Sequence, residues 1–327
     1  CIRDRIQTTP EALQRVFCQY DPARVALEVS THSPWVSRLL EGLGHEVVIA
    51  NARMVGLIHG DRKKDDRTDA EKLCLLADYN PELLAPITHR SAEAQAEVAV
   101  LRARDALVAT RTKLINHVRG AVKSVGGRIP KCSAASFATT AGAAIPKELK
   151  PALEPVLRQI GEMTSTIRAY DKQIEVLGKK HPETERLRQV AGVGPITALA
   201  FVLLLGNPMR FRKSRDVGPY IGLVSRRHQT GSSDPELRIT KAGDVLLRRL
   251  LVQSAQYILG PFGPECDLRT WGLALASRGR KNAKKRAVVA TARKLSVLLH
   301  RMWVSGDDYE PLRHRSSAKH VAQLTEV

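Results

Sequence analysis

The sequence predicts an α/β N-terminal domain with a largely parallel sheet, then a long helical hairpin, then a mostly α-helical C-terminal domain. Three observations lead there. Short apolar strand patterns alternate with helical ones over residues 1–85, the signature of helices packed on parallel strands. Two long Ala/Leu/charge-rich helical stretches flank a Gly/Pro/Ser-rich segment within residues 86–182. From 183 to 312 the apolar spacing is helical almost throughout, before a polar tail at 313–327.

In chain order, "CIRDRIQT" (1–8) alternates with period two and reads as a strand. "TPEALQRVFCQY" opens a helix with Thr9 as cap and Pro10 in the first turn. "RVALEVS" is a short apolar strand, "SPWVSRLLEGLG" a helix ended by Gly44, and "HEVVIANA" another strand. In "KKDDRTDAEKLCLLADYN" (63–80), Ala70, Leu73, Leu76 and Ala77 have helical spacing, which puts Asp66 and Asp69 on one face of the first turns. Residues 91–123 and 147–180 form the hairpin helices, with a coiled-coil spacer or a dimer contact as its use. The segment between them, 124–146, reads as a loop.

Lys and Arg number 52 against 33 Asp and Glu, a net charge of +19. A charge that large calls for an anionic partner, and nucleic acid fits better than a membrane surface, since no apolar run reaches spanning length. Five scattered cysteines without a C-x-x-C pair suggest neither a disulfide framework nor a zinc site and read as reduced thiols of a cytoplasmic protein. The first residue is Cys1, so a fragment of a longer chain is expected.

Four places carry candidate chemistry. Glu28 ends a strand, where functional groups of parallel sheets gather, and Asp66 and Asp69 open a helix. Together they offer hard oxygen ligands for Mg²⁺; separately, they are a solvated strand end and acidic residues favoured at a helix start. "QVAGVGPITALAFVLLLGN" (189–207) has the outline of a helix-hairpin-helix, whose turn at Gly192 and Gly194 presents backbone N–H groups to a phosphate or is simply a turn. In residues 220–255, Thr230, Ser232 and Ser233 lie in a loop among Arg226, Arg227, His228, Arg238 and Lys241. A hydroxyl among cations can attack phosphorus; the plainer reading is a Ser/Gly turn beside a nucleic-acid surface. Arg278, Arg280, Lys281, Lys284, Lys285 and Arg286 then precede an apolar helix and suit a sugar–phosphate backbone.

Taken together, these motifs resemble the DEDD-type transposases of the insertion-sequence-110 family, the bridge-RNA-guided recombinases of bacterial mobile elements. The resemblance extends from residue 1 to about 312 and rests on co-linear stretches such as "ALEVSTHSPWVSRLLEGLGHEV", "DDRTDAEKL", "AGVGPITA", "GLVSRRHQTGSSDPELRITKAGD" and "KNAKKRAVVATARKLSVLLHRMW". It implies an RNase H-like (RuvC-like) N-terminal domain, a coiled coil, and a C-terminal domain with a nucleophilic serine. Glu28, Asp66 and Asp69 would be the second, third and fourth acidic residues, holding Mg²⁺. The partners implied are element and target DNA, a bridge RNA and further copies of the chain, as dimers or tetramers at the bacterial nucleoid. Two departures stand out. The first acidic residue is expected on a strand upstream of residue 1, and Thr230 occupies the family's serine position, leaving Thr230, Ser232 and Ser233 as candidate nucleophiles. The alternative expectation is an inactive truncated copy that only binds nucleic acid.

Overall fold

The structure, a computed structural model, describes residues 5–51, 66–235, 237–279 and 282–313. The chain divides into two compact units, Cys1–Gln95 and Ala96–Val327.

In the first unit, Thr9 Oγ1 accepts from Ala12 N at 3.3 Å and Pro10 takes the first position of α1 (Pro10–Phe17). Pro costs nothing there, because that N–H has no partner within the helix. Strands β1 (Arg24–Glu28) and β2 (Glu46–Ala50) pair in parallel, Arg24 opposite Glu46 and Glu28 opposite Ala50. Between them runs α2 (Ser33–Gly42), after which Gly44 turns the chain at φ +89°. Strand alternation decides which side chain meets which helix. Val25, Leu27 and Val47 pack with Leu13 of α1 and with Val36 and Leu40 of α2. Ala26, Val48 and Ala50 pack instead with Leu73 and Ala77 of α3 (Asp66–Tyr79). Past a 3₁₀ turn at Pro81–Leu84, Ile87 bridges antiparallel to Ile49.

The strand expected over residues 1–8 is corrected where it can be seen: residues 5–9 are coil and bend, outside the sheet. Residues 1–4 lie outside the described residues. Period-two alternation says which side chains would share a face, but a strand also needs a backbone ladder; Ile6 packs its side chain against the cluster of Leu13, Val36 and Leu40 without joining the sheet.

In the second unit, α4 (Ala92–Ser124, of which all but the first turn belongs here) and α6 (Lys150–Lys180) run antiparallel. Arg104 donates to Asp171, and Arg111 Nη1 donates to Thr164 Oγ1 at 3.2 Å, seven residues further along one helix and seven back along the other. A step of seven keeps the same stripes in contact. At the foot of the pair the buried Glu97 meets His181, Oε2 to Nε2 at 2.8 Å. The segment 124–146 is more than a loop. It contains α5 (Phe137–Ala144), which buries Phe137 and Ala141 against Val118, Val122, Leu157 and Ile160. Burying a Phe side chain stabilises by about 1.5–3 kcal/mol, enough to order a short Ala-rich helix that composition alone marks as a breaker.

The remaining helices are α7 (Glu183–Arg188), α8 (Pro195–Leu205), α9 (Val217–Ile221), α10 (Val245–Leu259), α11 (Asp267–Ala276) and α12 (Ala283–Ser305). Every residue of α8 from Thr197 to Leu205 is buried, so this helix, apolar on all sides, forms the centre of the core. Helices α11 and α12 cross closely at Gly272, where a Cβ would stand 2.5 Å from Thr291 Oγ1. No helix among the described residues is long and apolar enough to cross a membrane.

Candidate functional site

In the first unit, alternation along β1 puts Glu28 on the same face as Ala26 and Arg24, which is the α3 face. Arg24 marks the opposite end of that strand. Its Nη1 donates to Ala77 O at 3.1 Å, and its Nε lies 3.0 Å from Glu46 Oε2. On α3, Asp69 precedes the buried Leu73 by four residues and Ala77 by eight; Asp66 precedes Leu73 by seven. Both aspartates therefore extend the sheet-facing stripe of α3, at the helix end away from Ala77. The fold thus gives Glu28, Asp66 and Asp69 one common face. It does not draw them into a closed cage: among the described residues no three His, Cys, Asp or Glu side chains are grouped closely enough to hold a metal ion. Lys63 and Lys64, which precede the pair in sequence, lie outside the described residues.

The turn after β1 is held by hydroxyls. Ser33 Oγ donates to Ser30 O at 3.0 Å, Ser30 Oγ accepts from Ser33 N at 3.2 Å, and Ser33 Oγ lies 2.9 Å from His89 Nε2. Burial, with Arg38 and Arg90 nearby, lowers the pKa of the His89 imidazole and favours its neutral form. Nothing in the sequence joins Ser33 to His89; their separation of 56 positions hides the pair.

In the second unit, the stretch read as a nucleophile loop is a two-stranded ribbon. Thr240 N donates to Val224 O at 2.8 Å and Arg226 N to Arg238 O at 3.0 Å, with Ser225 bridging Ile239. At the tip, Thr230 and Ser233 exchange backbone hydrogen bonds of 3.0 and 3.1 Å around Gly231 and Ser232. Gly231 has φ +57°, as a two-residue hairpin turn with a glycine first requires. Thr230, Ser232 and Ser233 are exposed there, and Arg226, Arg227, His228 and Arg238 are exposed along the same ribbon.

The ribbon's base is clamped. A Cβ on Gly222 (φ +79°) would lie 2.2 Å from Ala242 N, and one on Gly243 (φ +70°) 2.2 Å from Tyr220 O. Between them Lys241 adopts φ +55°, a conformation unfavourable for a side-chain-bearing residue, while its N–H donates to Gly222 O at 3.1 Å. Arg248 Nη1 donates to both Ile221 O (2.9 Å) and Ala242 O (2.6 Å). Gly222→Ala is therefore expected to displace the ribbon. The left-handed φ and the collision together cost roughly 2–4 kcal/mol. Thermal unfolding should shift down by several degrees, with DNA affinity falling in parallel; a variant as stable as the parent would contradict the clamp.

Gly192 (φ +84°) forms the turn between α7 and α8, and a Cβ there would stand 3.0 Å from Ser254 O of α10. Its positive φ and this tight approach both favour glycine, while Gly194, just before Pro195, faces open space. The turn borders a shallow depression also lined by Thr197, Gln253 and Tyr257. Of the basic block, Lys284, Lys285 and Arg286 occupy the first turn of α12, with no acidic residue among them, where the helix dipole disfavours positive charge. Lys281 and Arg280 lie outside the described residues.

A profile of the Transposase IS116/IS110/IS902 family matches residues 184–266, and a DEDD transposase profile of the IS110 elements matches residues 2–126. A probable family 20 transposase of Pseudomonas aeruginosa is 32% identical over 304 residues, covering 90% of this chain and 88% of its own. The chain belongs to the IS110 family of transposases. The transposase of insertion sequence element IS1328 from Yersinia enterocolitica is 33% identical over 239 residues, 72% of this chain and 70% of its own. That of IS1111A from Coxiella burnetii is 28% identical over 254 residues, 75% and 68%. The N-terminal part of this transposase is accordingly a DEDD domain of the RNase H-like superfamily, a type that generally works with divalent metal ions. Like other transposases, it acts on DNA.

Proposed function

We propose that this transposase cuts and rejoins mobile-element DNA through a hydroxyl nucleophile, assisted by Mg²⁺ and guided by a bridge RNA. The observation that carries the reading is the ribbon tip, where exposed hydroxyls stand among cations beyond a glycine-clamped base. Thr230 Oγ1 forms a bond to phosphorus while the bond from phosphorus to one deoxyribose oxygen breaks. The departing oxygen takes up a proton, and the threonine proton passes to the water that surrounds the tip. Attack by the hydroxyl of a second DNA end reverses these changes and frees the threonine. Arg226, Arg227 and Arg238 offset the phosphate charge throughout.

Glu28, Asp66 and Asp69 would hold the divalent ion. They supply only carboxylate oxygens, the hard donors a small divalent cation takes: Glu28 ends β1 on the side that α3 covers, and Asp66 and Asp69 open α3. When bound, such an ion stabilises charge that develops on a phosphodiester oxygen. Gly192, Gly194, Lys241, Lys281, Lys284, Lys285 and Arg286 position DNA and RNA by phosphate contact. In this reading the first unit has a RuvC-like layout, α4 and α6 are a coiled coil that joins copies into dimers or tetramers, and the active assembly is bacterial and nucleoid-associated.

A second reading, nucleic-acid binding without cleavage, is favoured by one observation, the open arrangement of the three carboxylates. Cleavage of labelled element ends separates the two. With bridge RNA, cutting is expected in Mg²⁺ and none in a chelator. Cutting that ignores the chelator would remove the carboxylates from the mechanism. DNA binding without cutting under either condition would leave the second reading standing.

A further inference from the structure

A groove of about 1310 Å³ in the second unit lies where the ribbon meets α11 and α12. Its lining has two parts. Leu223, Leu237, Ile239, Trp271, Leu275 and Val289 give apolar surface, while Arg238, Lys241, Arg278, Lys285, Arg286, Arg293 and Lys294 give cations. Among the described residues that line it, none is acidic. Lys294 Nζ stands 4.2 Å over the Trp271 ring, so aromatic surface and positive charge meet at one spot.

Double-helical DNA would leave this apolar surface unused, because a duplex shows its phosphates and hides its base faces. A pocket for a drug-sized molecule holds about 300–1,000 Å³, so the groove is large for a metabolite, and its charge calls for a polyanion. We infer that the groove binds an unpaired stretch of DNA strand, with bases and deoxyriboses on the apolar lining around Trp271 and phosphates on Arg278, Lys285, Arg293 and Lys294. That division of labour, flat apolar contact for bases and cations for the backbone, is the general chemistry of single-strand binding. DNA suits the lining better than RNA, whose 2′-hydroxyls need hydrogen-bond partners, and the described lining offers few uncharged side-chain ones, Ser225, Asn282 and the Trp271 indole N–H.

The inference deepens the proposed function, since the ribbon that carries Thr230 is one wall of the groove and a strand opened for cutting would lie along it. Its test needs no cleavage. The affinity of the whole chain for a fluorescent twelve-nucleotide poly-dT is measured at 150 mM salt without metal, beside a duplex and a poly-U strand of equal length. The single DNA strand should bind tightest and quench tryptophan fluorescence. That quenching should largely disappear in Trp271→Phe. Arg278→Glu combined with Lys294→Glu, both exposed, should weaken poly-dT at least about tenfold and duplex much less. Leu237→Asp should also weaken poly-dT while leaving thermal unfolding unchanged. Equal losses for strand and duplex, or unchanged poly-dT affinity in the double variant, would overturn the inference. So would tighter binding of poly-U, or displacement of poly-dT by an acidic amphipathic peptide that the same variants reject. Loss of cleavage with poly-dT binding intact would count against the proposed chemistry alone.

Discussion

Asparagine at Asp69 is expected to stop DNA cleavage while leaving folding and DNA binding unchanged. The exchange keeps shape and removes charge, so packing along the α3 stripe with Leu73 and Ala77 persists. What is lost is an anionic oxygen for a divalent ion on the face shared with Glu28. Roughly 3–4 kcal/mol of lost transition-state stabilisation corresponds to about 10²–10³ in rate. Glu28→Gln and Asp66→Asn should behave alike, and any pair of them should cost little more than one, because a single ion is being lost. Glu46→Gln is the control. Its carboxylate is paired with Arg24 at the other end of the same strands, and cleavage should survive its neutralisation. The readout is single-turnover cutting of element ends in Mg²⁺, with circular dichroism and binding as checks. Cleavage within about threefold of the parent in Asp69→Asn would remove the carboxylates from the chemistry.

The parts of this chain that the sequence announces are those whose cause is local. Thr9 and Pro10 mark the start of α1 because a cap and a first-turn proline act within three residues. The wholly apolar run of α8 declares its own burial, and the stripe of Asp66, Asp69, Leu73 and Ala77 follows from helical spacing alone. What stays hidden depends on partners far along the chain. The clamp at Gly222 exists because Ala242 returns against it, and the groove exists because Leu223 and Leu237 meet Trp271 and Val289. The stretch around Thr230, Ser232 and Ser233 reads as a loop because turn residues dominate it, yet backbone hydrogen bonds at Val224 and Arg226 pair its base and two between Thr230 and Ser233 close its tip. One signal was available: a glycine in a two-residue turn between Thr230 and Ser233 is a hairpin mark. The alternation over residues 1–8 misled in the opposite sense, since it carried a local pattern without a strand to pair with.

The nucleophile gives the second large effect. In a complete reaction with Mg²⁺, bridge RNA and element DNA, the chain should form a protein–DNA adduct that survives denaturant, and Thr230→Val should abolish it. Valine keeps the β-branch and the extended backbone that the bridge to Ser233 needs, so the ribbon stays while the hydroxyl goes. Thr230→Ser keeps the hydroxyl and relieves crowding at the attacking oxygen, so the adduct should form at least as fast. Ser232 competes for the role. It sits at the corner of the turn, next to Gly231, and is exposed like Thr230. The backbone of Thr230 is the better anchored of the two, donating to and accepting from Ser233, and an anchored hydroxyl loses less entropy on attack. Ser232→Ala and Ser233→Ala should therefore leave the adduct in place. An adduct that persists in Thr230→Val and vanishes in Ser232→Ala would move the chemistry two residues along the same tip. If no adduct forms in the parent or in Thr230→Ser while DNA stays bound, the ribbon is a binding element and the chain holds nucleic acid without cutting it.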